Sequence, residues 1–131
     1  MSSDSSGDRP LILVADDDAD ILALVRYGLA DCGYEVVTAV DGEAALELAL
    51  ARRPDVAVLD VHMPQMTGPE VARSLLEVED GPEPSVIFFS AAAPSEVASE
   101  LDARFLRKPF QLKQLVETVE SVLSSRAAGV V

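Results

Sequence analysis

Leu11-Ile12-Leu13-Val14-Ala15-Asp16-Asp17-Asp18-Ala19-Asp20 decides how the rest of the chain is read. Five apolar residues that break directly into acids predict a short strand. The acids that follow end it: Asp18 or Asp20 is placed to cap a helix, and Asp16 and Asp17 leave the strand as adjacent carboxylates. The same figure recurs three times downstream. Val56-Ala57-Val58-Leu59 breaks into Asp60, Val86-Ile87-Phe88-Phe89 into Ser90, and Arg104-Phe105-Leu106-Arg107 into Lys108-Pro109-Phe110.

Helical patterns lie between these runs. Ile21, Leu22, Leu24, Val25 and Leu29 recur at helical spacing up to Asp31, where Gly33 supplies a stop. Residues 35–39 form a short second strand. Asp41-Gly42 opens an Ala/Leu/Glu-rich helix through Arg52 that Pro54 ends, and Thr67, with Pro69 behind it, caps a third helix reaching about Glu77. A short helix is expected over 95–101. A last amphipathic helix runs from about Gln111 to Leu123, with Leu112, Leu115, Val116, Val119, Val122 and Leu123 inward. Strand–helix alternation predicts an α/β fold, a parallel sheet covered on both faces. In such sheets the chemistry gathers outside the carboxyl ends of the strands. Asp16, Asp17, Asp60, Ser90 and Lys108 all fall there. Carboxylates brought that close repel unless a cation intervenes, so the set predicts a divalent-metal site with a lysine beside it.

Composition narrows the setting. The 131 residues suit one domain, read here as a tail over 1–9, a folded unit over 10–124 and a second tail over 125–131. A net charge of −13, from 23 acidic and 10 basic residues, argues against a nucleic-acid or anionic-membrane partner. The single cysteine, Cys32, excludes an internal disulfide and is read as half-buried at a helix end. No apolar run approaches the roughly 20 residues needed to span a bilayer, and residues 1–9 lack the apolar stretch of a signal peptide. The expectation is a cytoplasmic protein.

Asp16-Asp17, Asp60 followed by Met63-Pro64, Ser90 and Lys108-Pro109-Phe110, in that order and each at a strand end, resemble the receiver domain of bacterial response regulators. The resemblance covers residues 11 to about 123. It implies a doubly wound, flavodoxin-like sheet of five parallel strands in order 2-1-3-4-5. It implies that Asp60 is the phospho-acceptor, taking a phosphoryl group from a histidine kinase or histidine phosphotransfer protein. It implies Mg²⁺, with Mn²⁺ able to replace it, ligated by Asp17, by Asp16 largely through water, by Asp60 and by the backbone carbonyl of His62. Lys108 would pair with Asp60 and then with the phosphoryl group, and Ser90 would donate its hydroxyl to it. Phe105 would be the aromatic switch, the Lys108-Pro109 peptide would be cis, and the output would be a shift of residues 90–108 that changes partner binding. Such a protein is a regulator, a monomer or weak dimer, and its catalysis extends at most to its own phosphorylation and auto-dephosphorylation.

Taken singly, these residues also have plainer roles. Asp18 and Asp20 suit helix caps, Ser90 suits any strand end, Phe105 suits a core position, and the His62 side chain suits the rim of the cleft. The chain also departs from the family pattern. Thr67 stands where an acid commonly precedes the glycine. Only residues 91–103 separate Ser90 from the fifth strand, which implies a shortened fourth helix, and Leu101-Asp102-Ala103 replaces the usual Gly-Ala pair.

Three other functions compete. Asp16-Asp17-Asp18 mimics the Asp-x-Asp of haloacid-dehalogenase-type phosphatases, but Asp20 stands where that motif wants Thr or Val. A flavodoxin-type cofactor site needs a Ser/Thr/Gly-rich phosphate loop after the first strand, where this chain is Asp-rich. A scaffold independent of phosphorylation would have no use for the acid–lysine set.

Overall fold

Apolar strands that do not alternate need cover on both faces, and the computed structural model provides it with helices above and below one sheet. The structure describes residues 9–78, 83–90 and 104–127. Strands β1 (Leu11–Ala15), β2 (Glu35–Ala39), β3 (Val56–Asp60), β4 (Ser85–Ser90) and β5 (Arg104–Arg107) pair in parallel in the order β2-β1-β3-β4-β5. Helices α1 (Ala19–Asp31), α2 (Gly42–Arg52) and α3 (Gly68–Leu76) make three of the crossovers, and α4 (Leu112–Ala127) closes the fold. This is the expected doubly wound α/β sheet. The helix expected over 95–101, and with it the shortening of the fourth helix, lies outside the described residues.

Every residue of β1 and β3 is buried, while β2 and β5 are partly exposed, as central and edge strands should be. Leu13, Ala15, Ala57, Leu59 and Phe88 face α2 and α3, meeting Ala45, Ala49, Val71 and Leu75. Ile12, Val14, Val56, Val58, Ile87 and Phe89 face α1 and α4, meeting Leu22, Val25, Leu29, Leu115 and Val119.

Side-chain caps start the helices. Asp18 accepts the Asp20 and Ile21 N–H groups, and Asp41 accepts that of Ala44. Thr67 forms a full capping box with Glu70, so it replaces the missing acid as a cap. Helix α2 ends at Arg52 as expected, while the exposure of Cys32 and the end of α4 differ from expectation. Arg53 turns α2 off in a left-handed conformation (φ 51°) one residue ahead of Pro54. Cys32, expected half-buried, is exposed at the end of α1. Helix α4 runs to Ala127, four residues beyond Leu123, where the apolar periodicity fades. Arg126 anchors that added turn by donating from Nη1 to the Glu83 carbonyl (2.9 Å) and the Ser85 hydroxyl (3.1 Å).

Candidate functional site

Strand register brings the polar residues to one edge. Ala15 pairs with Leu59, Asp60 with Phe89 and Ser90 with Arg107, so Asp16, Asp60, Ser90 and Lys108 leave neighbouring strands at nearly one level. Backbone bonds continue past the strand ends: Val61 N–H donates to the Phe89 carbonyl (3.2 Å) and Lys108 N–H to the Ser90 carbonyl (2.8 Å). The ends of β3, β4 and β5 are thereby tied together.

Two carboxylates and one ammonium occupy the centre. Asp16 is fully buried, and both its oxygens are engaged: Oδ1 accepts the Asp18 N–H at 2.8 Å and Oδ2 accepts Lys108 Nζ at 2.7 Å. Asp60 is 6% exposed and more loosely held, with Oδ1 accepting the His62 N–H at 3.2 Å and Oδ2 accepting Lys108 Nζ at 3.3 Å. Burial first, and then the charge of Asp16, push the Asp60 carboxyl above the ordinary carboxylate range, against the pull of Lys108 and the His62 N–H. Burial works to lower the Lys108 pKa. The hydrogen bond to Asp16 and the charges of both acids outweigh it, so the ammonium is held above its ordinary value. Lys108 is therefore a fixed positive charge at neutral pH. One ammonium does not balance two buried carboxylates.

Asp17, exposed beside them, adds a third acid, and Asp16, Asp17 and Asp60 each bring a carboxylate oxygen within 4.8 Å of the others. Hard oxygen donors in excess of the local positive charge fit a divalent cation of the Mg²⁺ type. The His62 side chain is exposed at the rim while its N–H orients Asp60. Ser90 is buried at the end of β4. Phe105 is half-buried against the cluster that contains Phe88, its neighbour across the β4–β5 pair. The Lys108-Pro109 peptide is cis, as the resemblance implied.

Other features escaped the sequence reading. The shorter of the Lys108 ion pairs is with Asp16, not Asp60. A Cβ on Gly68 would run into the Asp60 carbonyl oxygen, and one on Gly42 into the Met66 carbonyl oxygen. These two close approaches seat the loop between β3 and α3 against the site. The glycine directly after the Thr67 cap was the available signal. Phe89, read as strand core, lies beneath the Lys108 ammonium, and as an apolar residue in an apolar run it carried no signal. A cavity of about 730 Å³ lined by Ala72, Ser85, Val86, Arg104 and Arg126 opens at the opposite edge of the sheet and touches none of these residues.

Comparison with known proteins gives a consistent picture. The family described as the response regulator receiver domain matches residues 12–120. The chain is 38% identical over 128 residues to the transcriptional regulatory protein PrrA of Mycobacterium tuberculosis, covering 95% of this chain and 54% of PrrA. It is 39% identical over 115 residues to the response regulator MprA of Mycolicibacterium vanbaalenii, covering 86% of this chain and 49% of that protein. The chain thus spans about half the length of the curated relatives it matches. Among solved structures, the chemotaxis response regulator CheY4 of Vibrio cholerae superposes with a TM-score of 0.81 at 31% identity, over 87% of this chain and 98% of that one. A receiver domain protein from Methanospirillum hungatei shares the fold with a TM-score of 0.85 at 24% identity, over 92% of this chain and 98% of its own.

Proposed function

The chain belongs to the response regulator receiver domain family, the phospho-accepting switches of two-component signalling, and we propose that Asp60 is its acceptor. The observation that carries this choice is the contrast between the two buried acids. Asp16 has both oxygens in short hydrogen bonds, whereas Asp60 holds its partners at 3.2 and 3.3 Å and is the freer nucleophile. The same contrast weighs against a phosphatase that would use Asp16.

Ionised Asp60 attacks phosphorus with a carboxylate oxygen. The new O–P bond forms as the bond to the donor breaks, and the donor, a histidine kinase or histidine phosphotransfer protein, leaves with the electron pair on its imidazole nitrogen. Little covalent work falls to the protein in such a transfer; charge neutralisation and positioning carry it. Lys108 supplies one positive charge and keeps Asp16 from repelling the donor. Asp16, Asp17, Asp60 and the His62 carbonyl would hold Mg²⁺ or Mn²⁺, which when bound offsets the charge of the phosphoryl oxygens. The His62 N–H keeps the Asp60 carboxylate oriented.

The acyl phosphate adds a charge of about −1.5 to −2 at the end of β3. Ser90 donates its hydroxyl to it and Lys108 shifts toward it. The Lys108 N–H to Ser90 carbonyl bond makes the ends of β4 and β5 move together. Phe105 turns further inward beside Phe88 as Ser90 is drawn away, and the 90–108 region shifts; of that region, 91–103 lie outside the described residues. A regulator of this kind turns over nothing but its own phosphoryl group. Acetyl phosphate with Mg²⁺ should add one phosphoryl group by intact mass, labile to hydroxylamine, and Asp60→Ala should add none. Uptake of equal lability by Asp60→Ala would end this reading.

A further inference from the structure

Lys108 stands on an aromatic floor. Its Nζ lies 5.0 Å from the centroid of the Phe89 ring, and that ring packs against Phe110 with centroids 5.5 Å apart and planes tilted by 36°. Phe89 is fully buried in β4, and Phe110, two residues past Lys108, packs on the Phe89 ring, so the ring beneath the lysine is itself braced from the far side of the cis peptide. Above the ring, Nζ donates to Asp16 at 2.7 Å and Asp60 at 3.3 Å. The ammonium carries three N–H donors, and its remaining side faces π electrons. We propose that Phe89 is a positioning residue for phosphoryl uptake, holding the Lys108 ammonium within the cleft while leaving it free to slide from Asp16 toward the group arriving on Asp60.

A hydrogen bond to a third oxygen would hold the ammonium at one point. Attraction to a ring face varies slowly with lateral position, because it arises from the ring quadrupole and not from one lone pair. An aliphatic side chain at 89 would fill part of the same space and provide no such attraction. The Lys108 side chain, 18% exposed, could then spend time extended toward water, where its charge is screened. The inference rests on Asp60 being the acceptor only for its effect on rate; the placement of Lys108 can be read without any phosphoryl transfer.

Two variants test it, Phe89→Leu and the more flexible Phe89→Met, with Ile87→Ala as a control that opens space in the same strand and on the same face. In the wild type, the Lys108 Hε protons should show an upfield ring-current displacement in NMR spectra; in both Phe89 variants that displacement should vanish, and in Ile87→Ala it should persist. Phosphoryl uptake from acetyl phosphate at saturating Mg²⁺ should slow by about three- to tenfold in the Phe89 variants, the range expected for a partly desolvated cation–π contact. Uptake should stay near the wild-type rate in Ile87→Ala. In a Lys108→Ala background, replacing Phe89 should change the rate no further. An undisplaced Lys108 signal in the wild type, equal slowing by Ile87→Ala, or undiminished slowing in the Lys108→Ala background would each overturn the proposal. Failure of the wild type to take up phosphate would instead break the acceptor assignment and leave the ring-current test standing.

Discussion

At the amino edge of the sheet, Asp55 accepts the Leu11 N–H through Oδ2 at 2.9 Å, its own N–H donates to the Leu11 carbonyl at 2.8 Å, and its carbonyl accepts the Ser85 N–H at 3.0 Å. At the carboxyl edge, Asp16 and Asp60 are both buried, and one lysine is divided between them. The same residue type follows opposite rules about 17 Å apart, the length of a five-residue strand. Asp55 stitches three chain segments together through backbone partners, which stabilises the fold. The carboxyl edge keeps like charges close, where desolvation and repulsion oppose folding. That surplus of buried acid at a strand end is what the proposed cation and phosphoryl site would use.

The largest effect should come from taking one acid out of that surplus at its exposed corner. Asp17→Asn should weaken Mg²⁺ or Mn²⁺ binding by about 10- to 100-fold, the loss associated with disturbing a metal site, and slow phosphoryl uptake with it. Because Asp17 is exposed, unfolding should hardly change. Calorimetric titration and denaturant melts on the same samples separate the two. Unchanged metal affinity would remove Asp17 from the site.

At the opposite edge the affected property should change over from binding to stability. Asp55→Ala should destabilise the fold by about 1–3 kcal/mol, since the buried Leu11 N–H loses its acceptor, and should leave phosphoryl uptake per folded molecule unchanged. Equal stability by urea unfolding would show that the edges do not differ in the way described.

Asp60→Asn should stabilise the metal-free protein by about 0.5–2 kcal/mol, the range common when a functional compromise is removed. The pH dependence follows from the raised Asp60 pKa. As pH rises past the ordinary value of 3.8, the unfolded carboxyl loses its proton before the folded one does. Across that window the native state binds more protons, so the contribution of Asp60 to stability falls with rising pH and reaches its full penalty above the folded value. The advantage of Asp60→Asn should therefore be small in acid and grow toward neutral pH. A constant difference would mean that Asp60 is not held by burial and by Asp16.

The smallest effect is the switch itself. With beryllofluoride as phosphoryl mimic, amide exchange should change most within 90–108 and little around Asp55. Changes confined to the Asp60 loop would mean that Ser90 and Lys108 do not relay the signal.

The comparison also marks what could be read in the sequence. Apolar runs that stop abruptly at Asp16, Asp60 and Ser90 announce both the strands and their polar edge, because buried parallel strands cannot carry such residues inside; at the exposed edge strand β5 the Lys108-Pro109-Phe110 motif gave the signal instead. Helix starts were legible at Asp18, Asp41 and Thr67 through local side-chain bonds. The Asp16–Lys108 pair was not, since it spans 92 residues and depends on strand register. Phe89 was invisible for a different reason: a ring under an ammonium and a ring in a core are the same letter in the same run. The last turn of α4 was missed because the Arg126 contacts hold it, not an apolar stripe.

The most direct test identifies the acceptor residue chemically. After incubation with acetyl phosphate and Mg²⁺, borohydride reduces an aspartyl phosphate to homoserine, and peptide sequencing by mass spectrometry reports its position. Homoserine should replace aspartate at residue 60 alone. Homoserine at Asp16 or Asp17, or none anywhere in a chain that has taken up phosphate, would contradict the account.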